Sequence, residues 1–245
     1  MHAALKGGGN LASTISEALR NEIILGLARP GSRLSVAGLM ERFGVAGTVV
    51  REALSRLLAN GLVASEDWRG FRVVQASIED LLDVTRIRIN VETQAIREAI
   101  EGGDTEWEVG IVAAFHRLAR SKGVSVRERA QRHRAFHDAL VAGCRSLWLL
   151  RFHRILYDHT ERYRNLSLKY EQVIHRGQKR DTEDEHNRLM EYALARNAEG
   201  AIKAITDHLN TTTKFIIAAE SRLETSIIRG QFNLDKIGRS RPKTN

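Results

Sequence analysis

The chain has 245 residues, 42% of them hydrophobic and 28% charged, which supplies one large core or two modest ones and excludes an intrinsically disordered chain. No apolar run approaches the length of a membrane span, the glycine-rich start lacks a secretory apolar stretch, and the single cysteine, Cys144, excludes a disulfide framework. These features read as a soluble, cytoplasmic protein with no membrane partner. Lysine and arginine total 38 against 30 acidic residues, a formal charge of +8, which suits a nucleic-acid partner and a solvated basic surface equally well.

Only Pro30 and Pro242 are prolines, so the long text between them predicts helices joined by short turns. Leu11, Ile15, Leu19, Ile23 and Ile24 form one stripe of a first helix that stops near Gly26, and Pro30-Gly31 makes the next turn. Ser35 is the predicted N-cap of a short second helix carrying Leu39 and Met40. Phe43-Gly44-Val45 supplies a tight turn, and a third helix runs from about Thr48 to Asn60 with Val50, Ala53, Leu54, Leu57 and Leu58 inward. Its outward face carries Thr48, Arg51, Glu52, Ser55 and Arg56. Helix, glycine turn, helix is the layout that lays its second helix in the DNA major groove, although a tri-helical interaction module would show the same core pattern. Leu62-Val63-Ala64 and Phe71-Arg72-Val73-Val74 flank Trp68-Arg69-Gly70, a predicted hairpin. Beyond residue 77 the text is continuously helical, broken at Gly102-Gly103, Lys122-Gly123, Gly143 and Gly177. The predicted organisation is a winged module over 1–76, an all-α domain over 77–230, and a basic tail over 231–245 with Lys236, Arg239, Arg241 and Lys243.

Helical wheels of the second part place histidines on buried faces. His133 and His137 lie amid Val126, Ala130, Phe136, Leu140 and Val141; His186 amid Leu189, Met190, Ala193 and Leu194; His208 amid Ala201, Ile205, Leu209, Phe215 and Ile216. His159 falls on the apolar side of its helix with Trp148, Phe152 and Ile155, whereas His116 lies on a polar face. Uncompensated burial of polar groups is costly, so these imidazoles are either hydrogen-bonded core residues or ligands of one shared metal. Arg88 and Glu92 sit between Leu81, Ala95 and Ala99, and read either as a buried ion pair or as a carboxylate-capturing arginine held by its glutamate.

The residues Pro30-Gly31-Ser32-Arg33-Leu34-Ser35, Phe43-Gly44-Val45, Thr48-Val49-Val50-Arg51-Glu52-Ala53-Leu54, Gly61-Leu62-Val63 and Arg69-Gly70 resemble the winged helix of the GntR superfamily of bacterial transcription regulators. The recognition-helix motif of that family has an arginine where Gly47 stands, and often another where Ala37 stands; Arg51 is retained. From residue 77 the chain resembles the all-helical FCD effector domain of the FadR-like branch, through Arg88-Ile89-Asn90-Val91-Glu92, His133-Arg134-Ala135-Phe136-His137, Glu185-His186 and Asp207-His208-Leu209. Metal-binding members use one Asp and three His there. Here the Asp position is His133, and the Gly-Asn that often follows reads Arg145-Ser146.

The resemblance implies a mainly α fold, an N-terminal winged helix-turn-helix followed by an all-α helical-bundle effector domain. It implies a homodimer on a double-stranded, pseudo-palindromic DNA operator, contacted through Ser35, Thr48, Arg51, Ser55, Arg56, Arg69 and Gly70. The expected effector is a small organic acid held by Arg88, Glu92 and His159 beside a metal on His133, His137, His186 and His208. An imidazole-rich set suits Zn²⁺ or Ni²⁺ over Mg²⁺ or Ca²⁺. Two other readings stay open at this point: a His-rich metal-dependent enzyme, which lacks an evident general base, phosphate cradle or nucleophile elbow, and a metal-binding scaffold that does not touch DNA.

Overall fold

In the computed structural model, which describes residues 8–66, 70–174 and 180–228, the chain opens with α1 (Gly8–Ile24), β1 (Arg33–Leu34), α2 (Val36–Phe43), α3 (Gly47–Ala59), β2 (Val63–Glu66) and β3 (Gly70–Val73). Ser35 caps α2 as its spacing predicts, its side chain accepting from the Gly38 amide. Gly44 ends α2 at φ 65°, a left-handed position that a side chain would strain, so the α2–α3 turn rests on glycine. Ile15, Leu19, Leu39, Val50, Leu54, Leu57, Leu62 and Val73 close one core, and burial of each leucine contributes about 1.5–3 kcal/mol. Leu58, predicted inward, is 41% exposed, since Leu54 and Leu57 already fill the side facing α1.

The predicted strand pair forms, Val63 to Glu66 running antiparallel to Gly70 to Val73. Two-residue β1 adds a third strand on the far side of β3, in the order β1-β3-β2. Such a strand leaves no alternation to read in a sequence. Trp68 and Arg69 lie outside the described residues, as do the break at Gly177 and the basic tail.

Six further helices follow among the described residues: α4 (Ile78–Gly102), α5 (Thr105–Ala119), α6 (Val126–Val141), α7 (Leu147–Ile174), α8 (Thr182–Leu194) and α9 (Ala198–Ile228). None of them is long and apolar enough to cross a membrane. Ser77, Asp104, Ser125 and Asp181 cap α4, α5, α6 and α8 through side-chain bonds to the amide three residues on. Their second core joins Ile96, Trp107, Ile111, Phe136, Leu140, Leu189, Ile205 and Leu209.

The expected buried arc of α7 is turned. Trp148 and Phe152 are 63% and 45% exposed, whereas His153, Tyr157, Thr160, Glu161 and Asn165 are buried. Val126, expected on the buried arc of α6, is 69% exposed in the first turn of that helix. For α7 the reason is its position, packed against α4 and α9 on one flank and α1 on another. Its polar groups are satisfied by both. Arg162 donates to the carbonyls of Val74 and Gln75 at 3.0 and 3.2 Å, and Asn165 Nδ2 donates to Ile24 O at 3.0 Å. Arg20 on α1 grips Asp158 on α7 through two nitrogens.

Candidate functional site

The outward face of α3 is as the wheel predicts: Thr48, Arg51, Glu52, Ser55 and Arg56 are all exposed. Arg56 is nonetheless engaged, donating to Ser13 on α1 and, at 2.7 Å, to Glu52. Its guanidinium is thereby drawn toward α1, whereas Arg51 makes no such tie among the described residues. Gly47 stands directly beneath it, where a Cβ would come within 3.1 Å of Arg51 Nη1 and 3.2 Å of Met40 Sδ. The missing side chain gives Arg51 room. Ser35 spends its oxygen on the α2 cap, Gly70 opens β3 at φ 92°, and Arg69 lies outside the described residues.

The four predicted imidazoles converge. His133 and His137 come from α6, His186 from α8 and His208 from α9, with one ligand atom of each lying within 4.8 Å of the others. All four are buried. Burial, and then repulsion from Arg164, Arg88 and the neighbouring imidazoles, holds His133, His137 and His186 well below the ordinary imidazole pKa. His208 is lowered less, because burial is opposed by its bond to Glu185. Burial thus favours the neutral form of all four rings. His116 is exposed on α5, as its polar face predicts.

Outer partners orient two of the rings. Tyr157 Oη lies 2.6 Å from His133 Nδ1, and Glu185 Oε2 lies 2.8 Å from His208 Nδ1, so each ring has Nε2 left to offer. Burial raises the Glu185 pKa but Arg180 and His208 outweigh it, holding the carboxyl at about 2. His137 Nε2 and His186 Nε2 are buried without any hydrogen-bond partner. Orphaned, neutral imidazole nitrogens facing one another are what a nitrogen-ligated divalent metal requires, and this donor set fits one.

Arg88 and Glu92 form the buried ion pair, with Arg88 Nε to Glu92 Oε1 at 2.8 Å. Arg88 Nη1 donates to Thr160, and the guanidinium lies over the Tyr157 ring at 4.5 Å. Nε and one N–H of Nη1 are thus engaged, and Nη2 is left buried and unpartnered. Glu92 also faces His153, whose Nδ1 lies 3.0 Å from Oε1 and whose Nε2 lies 2.9 Å from Asp138. Desolvation would raise Glu92, but Arg88 and His153 hold it at about 2; desolvation would lower His153, but Asp138 and Glu92 raise it.

A cavity of about 690 Å³ opens on the cluster, lined at its inner end by His133, His186, His208, Arg164 and Arg180. Arg88 borders a separate chamber of about 20 Å³, room for one water, which shares His133, His208 and Arg164 with the larger one. The effector assignment of His159 is corrected: its Nε2 lies 2.8 Å from Asn60 O at the end of α3, away from both chambers. The sequence reading also missed His153, Tyr157, Arg164 and Arg180. A stripe of His153, Tyr157, Thr160 and Arg164 at helical spacing marks three of them, but a search for apolar arcs passes over it.

Residues 11–73 match the bacterial regulatory proteins of the gntR family, and residues 83–211 match the FCD domain. The chain is 36% identical over 214 residues to the HTH-type transcriptional regulator BphR of Paraburkholderia xenovorans, across 84% of this chain and 85% of that protein. It is 34% identical over 203 residues to the HTH-type transcriptional repressor GlaR of Escherichia coli, across 81% and 92% of the two. Among solved structures, E. coli McbR/YncC has a TM-score of 0.71 at 20% identity, covering 84% of this chain and 97% of that one, a likeness of fold. These families and relatives are regulators of transcription, not enzymes, which removes the metal-dependent enzyme as an alternative.

Proposed function

Since the chain belongs to the GntR family of DNA-binding transcription regulators and carries an FCD domain, we propose that it works in the cytoplasm as a homodimer on a pseudo-palindromic operator. A small organic acid entering the cavity at the imidazole cluster changes its affinity for DNA. The observation that carries this reading is that one helix, α7, touches both places. Tyr157 holds His133 at the cavity, and the next residue, Asp158, is shared by Arg134 of α6 and Arg20 of α1.

His133, His137, His186 and His208 would hold the metal, which when bound supplies a Lewis-acidic position for the carboxylate of the acid. Arg164 and Arg180 flank that carboxylate with positive charge, and Arg88 Nη2 stands behind the cluster. Exposed Leu147, Trp148 and Phe152 at the start of α7 form an apolar surface that supports a dimer contact. A purely monomeric species in sedimentation at micromolar concentration would remove that element.

Two measurements test the function. Arg51→Ala is expected to weaken binding to the operator by about 1–3 kcal/mol at fixed salt; unchanged affinity would mean that α3 does not read the DNA. Asp158→Ala removes the carboxylate that Arg20 and Arg134 share. Operator binding is expected to persist while its response to the effector falls away, because the two domains no longer move together. A full response in this variant would place the transmission elsewhere.

A further inference from the structure

The effector is so far specified only by its acid head. The cavity specifies more. A two- to four-carbon acid has about six heavy atoms and displaces on the order of 180 Å³, taking about 30 Å³ for each water-sized group. The cavity measures about 690 Å³, in the range of pockets that enclose drug-sized ligands. A short acid bound at the imidazoles would leave most of it as water against apolar wall.

Part of that wall is apolar, although Ser121, Lys122, Arg129, Thr182 and Glu183 also line the cavity. Phe115 and Leu118 of α5, Val124 and Val126 at the start of α6, and Phe215 and Ile216 of α9 line it. Phe115 packs against Phe136 at 5.9 Å between ring centroids, and Phe136 against His186 at 5.3 Å, so buried Phe136 links this wall to the cluster from behind. Phe215 reaches it from the other side, beneath the Arg180 guanidinium at 5.5 Å. Val126 on this wall is 69% exposed. A β-branched apolar residue held open beside a cavity gains from a ligand that covers it.

We infer that the effector is a carboxylate with an apolar body, an aromatic ring system or a chain of about six to ten carbons, whose head lies at the imidazole cluster and whose body lies along the trough from Phe115 to Val126. The inference rests on the acid-effector reading above and adds its chemical class. The trough gives selectivity by area rather than by hydrogen bonds, so related acids of similar bulk bind with similar strength.

Calorimetric titration of the full-length, Zn²⁺-supplemented protein with acetate, butyrate, hexanoate, octanoate, benzoate, 2-naphthoate and succinate tests it. Affinity is expected to rise about fourfold per added methylene along the straight-chain series, the gain from burying each one, with 2-naphthoate tighter than benzoate and succinate weak. Tightest binding by acetate or succinate, or a flat series, overturns the apolar body while leaving the acid effector standing. No binding by any of these acids overturns both. Val126→Glu places a carboxylate on the lip in the first turn of α6, where the helix tolerates acidic residues. It is expected to weaken octanoate at least tenfold and leave acetate unchanged, and unaltered octanoate binding would show that the body does not lie on this wall.

Discussion

Stripping divalent metal from the protein is expected to lower its melting temperature by roughly 8–16 °C, and Zn²⁺ or Ni²⁺ to restore it. Metal that binds only the folded state stabilises it by RT ln(1 + [L]/Kd), about 4 kcal/mol when free metal stands a thousandfold above Kd. A domain of this size shifts by roughly 2–4 °C per kcal/mol. The donors are four nitrogens with no carboxylate among them, so Mg²⁺ and Ca²⁺ are expected to rescue poorly. His186→Ala and His208→Ala remove the response, because each takes a ligand from α8 or α9. His116→Ala, on the exposed face of α5, leaves it intact. Differential scanning with and without chelator, on protein purified without a polyhistidine tag, reads all of this out. No shift in the parent protein would make the four histidines a polar lining for the acid alone.

The second large effect is acid lability of the metal-free protein, setting in where buried carboxylates cannot explain it. Burial holds His133, His137, His186 and His208 neutral in the fold, while in the unfolded chain they titrate near 6.5. Below that pH the unfolded state binds more protons, so their contribution to stability is whole above about 6.5 and is lost as pH falls. Each imidazole that stays neutral well below 6.5 costs about 1.4 kcal/mol for every further pH unit. His153 acts in the opposite sense. Its pKa is raised, so its contribution is present below 6.5 and is lost as pH rises through its folded value. One group against four leaves a net loss in acid. Glu92 and Glu185, held at about 2, contribute fully above 4.5 and fade only as pH falls from there. Urea denaturation at pH 7.5, 6.5 and 5.5 is expected to show stability dropping across the last interval, and His137→Gln with His186→Gln to halve the drop. Equal midpoints at all three would mean that the cluster is not held neutral.

Much of the DNA-binding module was legible in the sequence, and the reason is local. The turns at Gly26 and Gly44, the Ser35 cap and the stripe Val50, Ala53, Leu54, Leu57 each encode structure within a few residues. The histidine cluster was legible for a related reason. Each ring sits inside an apolar arc of its helix, so the wheels of three helices placed four rings inward before any contact between them was known.

The face of α7 was not legible, and with it went His153, Tyr157, Arg164 and the true place of His159. Its inward side is polar because its partners lie far away in the chain: Glu92 for His153, His133 for Tyr157, Asn60 for His159, Arg20 for Asp158. A wheel assumes that buried means apolar, which holds where a helix meets a hydrocarbon core and fails where it is wedged between two domains and satisfied by their charges. The same holds for Arg56, outward by period yet tied to Ser13, and for Arg88, inward by period yet with two nitrogens committed. The sequence by itself determined the family, the two-part mainly helical fold, the outward face of α3 and the identity of four inward histidines, all of which depend on the spacing of residues along single helices. Only the tertiary structure decided which nitrogens remain free, how large a ligand the cavity admits and which helix joins the two parts, because each of these depends on atoms brought together from distant segments.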